Sequence, residues 1–586
     1  MVEMQYARRT LLLMDTARRL GPRPVLLAAW HRSPFARALA RRALRDAPAP
    51  AVGPFLPPAA PPVPPDLPLD HGAAVLARAG GVAPADWHGP FDPDTPALAL
   101  DLFRPGDVRP VWERNRWAEL PLLAQAAKLD PAGGHLARAE ALLADWSLKN
   151  SPFRGPNWAC GQEAALRALH LALALGLLGA LRDPPAGAQA LLELHGRRIA
   201  ATPAYALAQD NNHTVSEAAG LFLCGLVLGR AGWVARGAAR LRAAQARLIA
   251  PCGAFAQLST GYHRLLLDVL AVAEWLRRAL DGPPMLAEER AGAAVRWLHR
   301  LVEPTIGAPP RLGHQDGSAF ADLSLAGPAD ARPGLERAAR LLAGRSAGFG
   351  ADPGCAWLGL PVPPPLPEPP AAWVGEGLRG WRSGRAWAVL RTGPLRFRPG
   401  QADLLHLDLW DGPLNLLRDG GTGAYNPPPD RAWWHTHLSG TAGHNTVEFD
   451  GTDAMPRLSR FLFARWPRTG SLPDGGAWSR DHRGHRHTRR LCVVEDRAWV
   501  VEDEFAGGFT TVALRWRLAP AAWRLTGAGV ESPLARLTLT ADAPLACALE
   551  RGWGSPAYGE VVPAPVLVAR ARAPISRITT VIHLKS

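Results

Sequence analysis

Cysteine is sparse in this chain. Its six residues, Cys160, Cys224, Cys252, Cys355, Cys492 and Cys547, are scattered and form no CxxC pair, which excludes a paired-thiolate zinc site or redox motif and leaves buried free thiols. A secretory signal is also not evident. The start, MVEMQYARRTLLLMDTARRLGPRP, has a short apolar patch between arginines and no small-residue cleavage site, so export is not indicated and the sequence reads as cytoplasmic. The longest apolar run, residues 168–181, sits between Arg167 and Arg182 and contains His170; it is too short to span a bilayer and predicts a buried helix, with no integral membrane segment. No Gly-rich phosphate loop, zinc finger or basic heptad occurs, so nucleic-acid binding would rest on charge alone and is not expected.

What is present is ordinary core material. Hydrophobic residues make up 47% of the 586 positions and charged residues 20%, a globular composition too long for a single core, so two or more domains are expected. Lys and Arg outnumber Asp and Glu by 66 to 52, for a net charge of +14. The excess is almost all arginine and favours an anionic partner, although the Ala, Gly and Pro richness of the chain is an alternative source for it.

Two proline-rich stretches, 47–68 and 361–370, punctuate the sequence; proline removes donors and restricts its predecessor, so both read as extended connections. Between them, HLARAEALLADWSLKN, QEAALRALHLALALGLLGAL, HTVSEAAGLFLCGLVLG and RLLLDVLAVAEWLRRAL carry apolar residues at helical spacing. Several are apolar on more than one face, which fits layered helix pairs in an α/α toroid or solenoid. Beyond residue 370, short alternating runs such as RAWAVLRTG, TVALRWRLAP and SRITTVIHLKS predict antiparallel strands in a sandwich. The expected organisation is an extension over 1–70, a helical domain over 71–360, a linker over 361–372 and a β-sandwich domain over 373–586.

Several polar groups interrupt these patterns. In DNNHTVSEAAGL, Asn212 and His213 precede an apolar run, with Thr214 and Glu217 spaced as a capping box; capping does not require the amide and imidazole beside it. In STGYHRLL, Tyr262 and His263 open the next helix, where either a cleft position or a buried, satisfied tyrosine is open. His406, Asp408, Asp419 and His444 form a dispersed imidazole and carboxylate set of a kind that suits zinc. RDHRGHRHTRR, with His482, His485 and His487, reads as a solvated basic strand or loop, since its arginines would repel a cation.

In order, NNHTVSEAAGL, STGYHRLL, LLHLDL with LRDGGTGAYN, and AGHNTVEFDG resemble the signature segments of the heparinase II/III-like polysaccharide lyases. The resemblance implies an N-terminal (α/α) toroid followed by a C-terminal antiparallel β-sandwich, and cleavage of a uronic-acid-containing acidic polysaccharide by β-elimination. It also implies that Asn212 and His213 neutralise the uronate carboxylate, that Tyr262 serves as acid and also as base if its proton is relayed or cations lower its pKa, and that His406, Asp419 and His444 bind zinc. Leu404 stands where many relatives carry a further His, so His406 is open to a catalytic role as well as a ligand role. Gln257 stands where an acidic residue is common. Trp158, His263 and Tyr425 are expected to bind substrate, the first and last as sugar platforms. A non-catalytic glycan-binding or envelope-assembly protein on the same scaffold is the alternative.

Overall fold

The computed structural model describes residues 2–64, 66–82, 86–104, 106–495 and 497–585, with side chains from residue 9 onward. Pro65, in the first proline-rich stretch, lies outside them.

The helical half begins with three helices, α1 (Val2–Leu20), α2 (Pro22–Arg32) and α3 (Pro34–Arg45). The toroid that follows is built from antiparallel neighbours packed in pairs, among them Gly161–Leu177 with Ala186–Ala201 and Asn212–Val227 with Ala231–Leu248. Close approach is secured by glycine: a Cβ on Gly220 would lie 2.8 Å from the Cα of Ala165, and one on Gly237 would lie 2.5 Å from the amide nitrogen of Phe222. The apolar run around His170 is the buried interior of helix Gly161–Leu177, and His170 is satisfied there by the Arg116 carbonyl at 2.6 Å and the Ala321 amide at 3.2 Å.

Antiparallel sheets form the C-terminal half. Strands Ala372–Gly375, Gly377–Ser383, Ala386–Gly393, Leu407–Asp411 and Leu414–Leu417 lie side by side in chain order. A larger sheet has Arg486–Glu495, Ala498–Ala506 and Arg577–Leu584 at its centre, and Thr511–Arg517 with Val562–Arg572 anchors a further one. The sheet next to the helices is buried on both faces. Along Ala386–Gly393, Trp387 and Val389 join the helical core, whereas Ala386, Ala388 and Leu390 join the sandwich core. Period-two alternation thus sends side chains into two cores and fastens the halves together.

Deep in the sandwich, Arg489 and Asp503 form a fully buried pair at 2.7 Å, and the remaining Arg489 nitrogen donates to the carbonyls of Leu405 and Asn445. Those carbonyls flank His406 and His444. His487 shares Asp503 at 2.6 Å and His485 contacts Asp481 at 3.3 Å, both rings buried. The solvated basic strand or loop read at this tract is therefore corrected in part: His482 and Arg486 are exposed, but alternation in strand Arg486–Glu495 turns His487 and Arg489 inward onto one carboxylate. Arg489→Met leaves Asp503 without its main countercharge and is expected to cost about 3–5 kcal/mol, measured as a lowered midpoint in chemical denaturation.

Candidate active site

A cleft of about 240 Å³ lies where the toroid meets the sandwich. Asn212 and His213 enter it from the first turn of helix Asn212–Val227. The helix is capped by Asn211, whose side chain accepts the His213 amide at 3.0 Å; the capping box expected at Thr214 and Glu217 is not used. Thr214 instead donates to the Ala206 carbonyl, and Glu217 turns its carboxylate to within 3.7 Å of His213 Nδ1. Asn212 donates from Nδ2 to Gln162 Oε1 at 2.6 Å, and its amide nitrogen donates to Gln257 Oε1 at 3.0 Å. The neutral Gln257 therefore holds the helix entry that brings Asn212 to the cleft.

Tyr262 arrives from helix Thr260–Ala279, whose N-cap Ser259 accepts the Tyr262 amide at 3.1 Å. Its hydroxyl donates to Asp316 Oδ2 at 3.0 Å and lies 2.8 Å from the hydroxyl of Tyr425, which comes from the sandwich half. Asp316 also accepts from Arg109 Nε at 3.0 Å, and Arg116 is paired bidentately with Glu163 at 2.8 Å behind it. Burial opposes ionisation of Asp316, but Arg109 and Arg116 more than offset it and hold this carboxyl well below the usual range. Burial first, then the Asp316 charge, pushes the Tyr262 phenol far above its ordinary value, and burial with Tyr262 does the same to Tyr425. The phenol is thus held protonated, which corrects the expectation that nearby cations lower its pKa: the cations are spent on Asp316.

His314, also in the cleft, has its ring 5.3 Å from that of Tyr425, and its Nε2 is buried without a hydrogen-bond partner. Burial, then Arg457, draws its pKa down to about 4, so the imidazole is neutral at pH 7. Sequence reasoning missed His314, Asp316 and Arg109. The signal available was GHQDGS, a glycine-punctuated polar run outside any apolar period.

Trp158 and His263 do not reach the cleft, which corrects their reading as substrate contacts. Trp158 is fully buried, donates to the Asn150 carbonyl at 3.1 Å, and packs with Trp146 around the Arg167 guanidinium. His263 stacks on Trp297 at 4.4 Å and donates to the Ala294 carbonyl at 2.8 Å. His406 is enclosed as well, so of its two roles the catalytic one lacks access. His406, Asp419 and His444 come together: their ligand-type atoms lie within 4.8 Å of one another. Asp419 Oδ2 accepts from His444 Nδ1 at 2.8 Å and stands 3.8 Å from His406 Nε2, while His444 Nε2 is buried with no partner. Asp408 Oδ2 is 3.5 Å from His406 Nε2, and the Asn445 amide donates to His406 Nδ1 at 2.9 Å.

The triad is coupled to the cleft through one loop. Asp419 Oδ1 accepts the Gly421 amide at 2.7 Å, Thr422 Oγ1 accepts the Gln315 amide at 2.7 Å, and Tyr425 follows with its own amide on the Tyr558 hydroxyl. Tyr558 in turn donates to Asp107 of the helical half.

The family profile described as heparinase II/III-like, C-terminal, matches residues 366–581. That match covers the sandwich half of the chain, and it is to the heparinase II/III-like family that this half is similar. A crystal structure of heparinase III superposes with a TM-score of 0.65 at 13% identity, over 98% of this chain and 94% of that one. A heparinase III gene product gives 0.61 at 14% identity, over 97% and 92%. Heparan sulfate lyase HepC from Pedobacter heparinus gives 0.56 at 16% identity, over 95% and 90%. The fold is therefore the toroid and β-sandwich of heparinases. No curated protein matches the chain. Among the described residues, no helix is long and apolar enough to cross a membrane.

Burial disfavours the charged form of His213, but Cys160 and then Glu217 more than offset it and raise the pKa from 6.5 to about 10. A raised folded pKa means that charged His213 stabilises the fold fully below 6.5 and that this contribution is lost as pH climbs through about 10. Glu217→Gln removes one of the raising groups, so the His213 titration followed by NMR should move to lower pH.

Proposed function

We propose that the protein is a polysaccharide lyase that cleaves a uronic-acid-containing polymer by β-elimination. The observation that carries this reading is the pair of hydroxyls, Tyr262 and Tyr425, 2.8 Å apart in a cleft that also holds Asn212 and cationic His213. A uronate C5 proton becomes removable once the adjacent carboxylate is neutralised, and positioned donors can hold the charge that develops there. Asn212 Nδ2 and protonated His213 supply that neutralisation.

Acid and base are separated by environment. His314, neutral and with Nε2 unengaged, takes the C5 proton. The C5–H electron pair forms the C4–C5 double bond as the C4–O4 bond breaks, and the Tyr262 hydroxyl protonates the departing O4. Tyr425, hydrogen-bonded to Tyr262, returns a proton to the phenolate and regains one from the His314 imidazolium beside it, which restores all three groups. Tyr425 thus serves in the proton path, and its ring, packed edge-on against His314, Phe461 and Tyr558, also forms the cleft floor.

His406, Asp419 and His444 fit a zinc ion: two imidazoles and a carboxylate converge in a dry site, and one His444 nitrogen is otherwise orphaned. Bound zinc would supply a structural cross-link between the strand entry at His406 and the loops at Asp419 and His444. The residues themselves set the start of the 419–425 loop and hence the place of Tyr425.

Incubation with a panel of acidic polysaccharides should raise the ultraviolet absorbance of an unsaturated uronate, and Tyr262→Phe should lower that rate by at least about 100-fold. A correctly folded protein with no such product from any uronate polymer would favour the glycan-binding alternative. Elemental analysis should find one equivalent of zinc, lost together with thermal stability in Asp419→Asn. Retention of zinc in that variant would remove Asp419 from the ligand set.

A further inference from the structure

The N-terminal helices hold a disproportionate share of the charge. Residues 1–45 contain ten arginines against Glu3 and Asp15, a net +8 of the chain's +14. They also straddle the two halves beside the cleft. From α1, Arg19 donates to the Trp466 carbonyl at 2.8 Å and Asp15 accepts the Arg465 amide at 2.6 Å, both in the sandwich half. From α2, Arg23 pairs with Asp210 at 3.3 Å and His31 packs on Tyr205 at 5.2 Å, while α3 buries Ala40 and Leu44 and lies on helix Ala186–Ala201.

Between α2–α3 and the toroid runs a trough of about 720 Å³, three times the volume of the cleft. Leu102, Trp112 and Tyr205 line both spaces, so the two adjoin. Arg37 and Arg41, one helical turn apart, point along the trough; both are exposed, and neither has an ion-pair partner among the described residues. Trp30 stands beside them, 49% exposed and braced edge-on by Phe35 at 5.7 Å. A concave channel that combines an exposed indole with unpaired guanidinium forks suits a chain of sugars bearing carboxylate or sulfate groups. A flat lipid surface would not enter it.

We propose that this trough is a second glycan-binding site, which holds the part of an acidic polysaccharide that extends from the cleft, with Arg37 and Arg41 on its anionic groups and Trp30 under a sugar ring. The proposal rests on the lyase reading and makes the protein selective for long chains.

The test is calorimetric titration of the Tyr262→Phe protein, which keeps the probe intact, with size-fractionated heparin. Long fragments should bind more than about tenfold tighter than the tetrasaccharide, since two linked sites act together. Arg37→Gln with Arg41→Gln, both at exposed positions, should abolish that advantage and leave tetrasaccharide affinity unchanged. Equal binding of long and short fragments, or an unchanged advantage in the double variant, would overturn the second site while leaving the lyase reading standing. Absence of binding to heparin, alginate and hyaluronan alike would overturn both. If the double substitution instead abolishes binding to anionic vesicles and spares heparin, the arginines serve a membrane and the trough proposal fails.

Discussion

A buried, ionised Asp316 is the constraint around which the cleft is organised. A carboxylate removed from water costs several kcal/mol unless it is paired and hydrogen-bonded, and this one receives Arg109, Tyr262 and the Ser318 amide. Arg109 brings helix Arg109–Arg114 to the loop, and Tyr262 brings helix Thr260–Ala279. Because Arg109 and Arg116 hold the charge on Asp316, the phenol beside it stays protonated, and Tyr425 of the sandwich completes the chain of hydroxyls. One electrostatic node thereby joins two helices and a loop to the other half of the molecule and keeps the Tyr262 phenol protonated.

The sandwich supplies the opposite wall by a different route. Arg489 and Asp503 hold the carbonyls next to His406 and His444, the imidazoles converge on Asp419, and the loop from Asp419 carries Tyr425 into the cleft. The triad is therefore remote from the reacting atoms and still bears on them, because a change at Asp419 is transmitted along six residues of backbone whose amides are tied at Gly421 and Tyr425. Such outer groups commonly tune a site through orientation.

Periodicity made most of the fold legible: the apolar spacing in the toroid and the alternation beyond residue 370 both correspond to observed helices and strands. Asn212, His213 and Tyr262 were also legible, since each stands at the start of a helix beside an apolar pattern, where side chains can face a cleft, whereas Tyr425, in an irregular loop, came from the family resemblance alone. Trp158 and His263 show the limit. Both occupy the same kind of boundary, yet the Arg167 and Trp297 that enclose them come from elsewhere in the chain, and no local pattern reveals those contacts. Asp316 failed for the reverse reason: it lies in an irregular loop, and its importance arises from Arg109, 207 positions away in sequence. The histidines at 485 and 487 looked solvated because their arginine neighbours dominate the local composition, whereas strand alternation buries His487 together with Arg489 and leaves Arg486 exposed.

In the proposed mechanism His314 takes the place of a histidine at position 404, and the packing around Leu404 is consistent with that. Leu404 is buried in a small apolar cluster with Met455 and Phe463, so an imidazole there would need compensating partners that its surroundings do not offer. His314 approaches from the toroid side instead, where burial and Arg457 keep it neutral and the ring retains an unengaged nitrogen. A base must have a free lone pair at the working pH and an acid must keep its proton; the same low-dielectric cleft meets both conditions, because burial disfavours charge on imidazole and phenol alike. In the proposed mechanism, removal of water would supply the acid and the base together, and only the cation on His213 would have to be maintained against it, by Cys160 and Glu217 at its back.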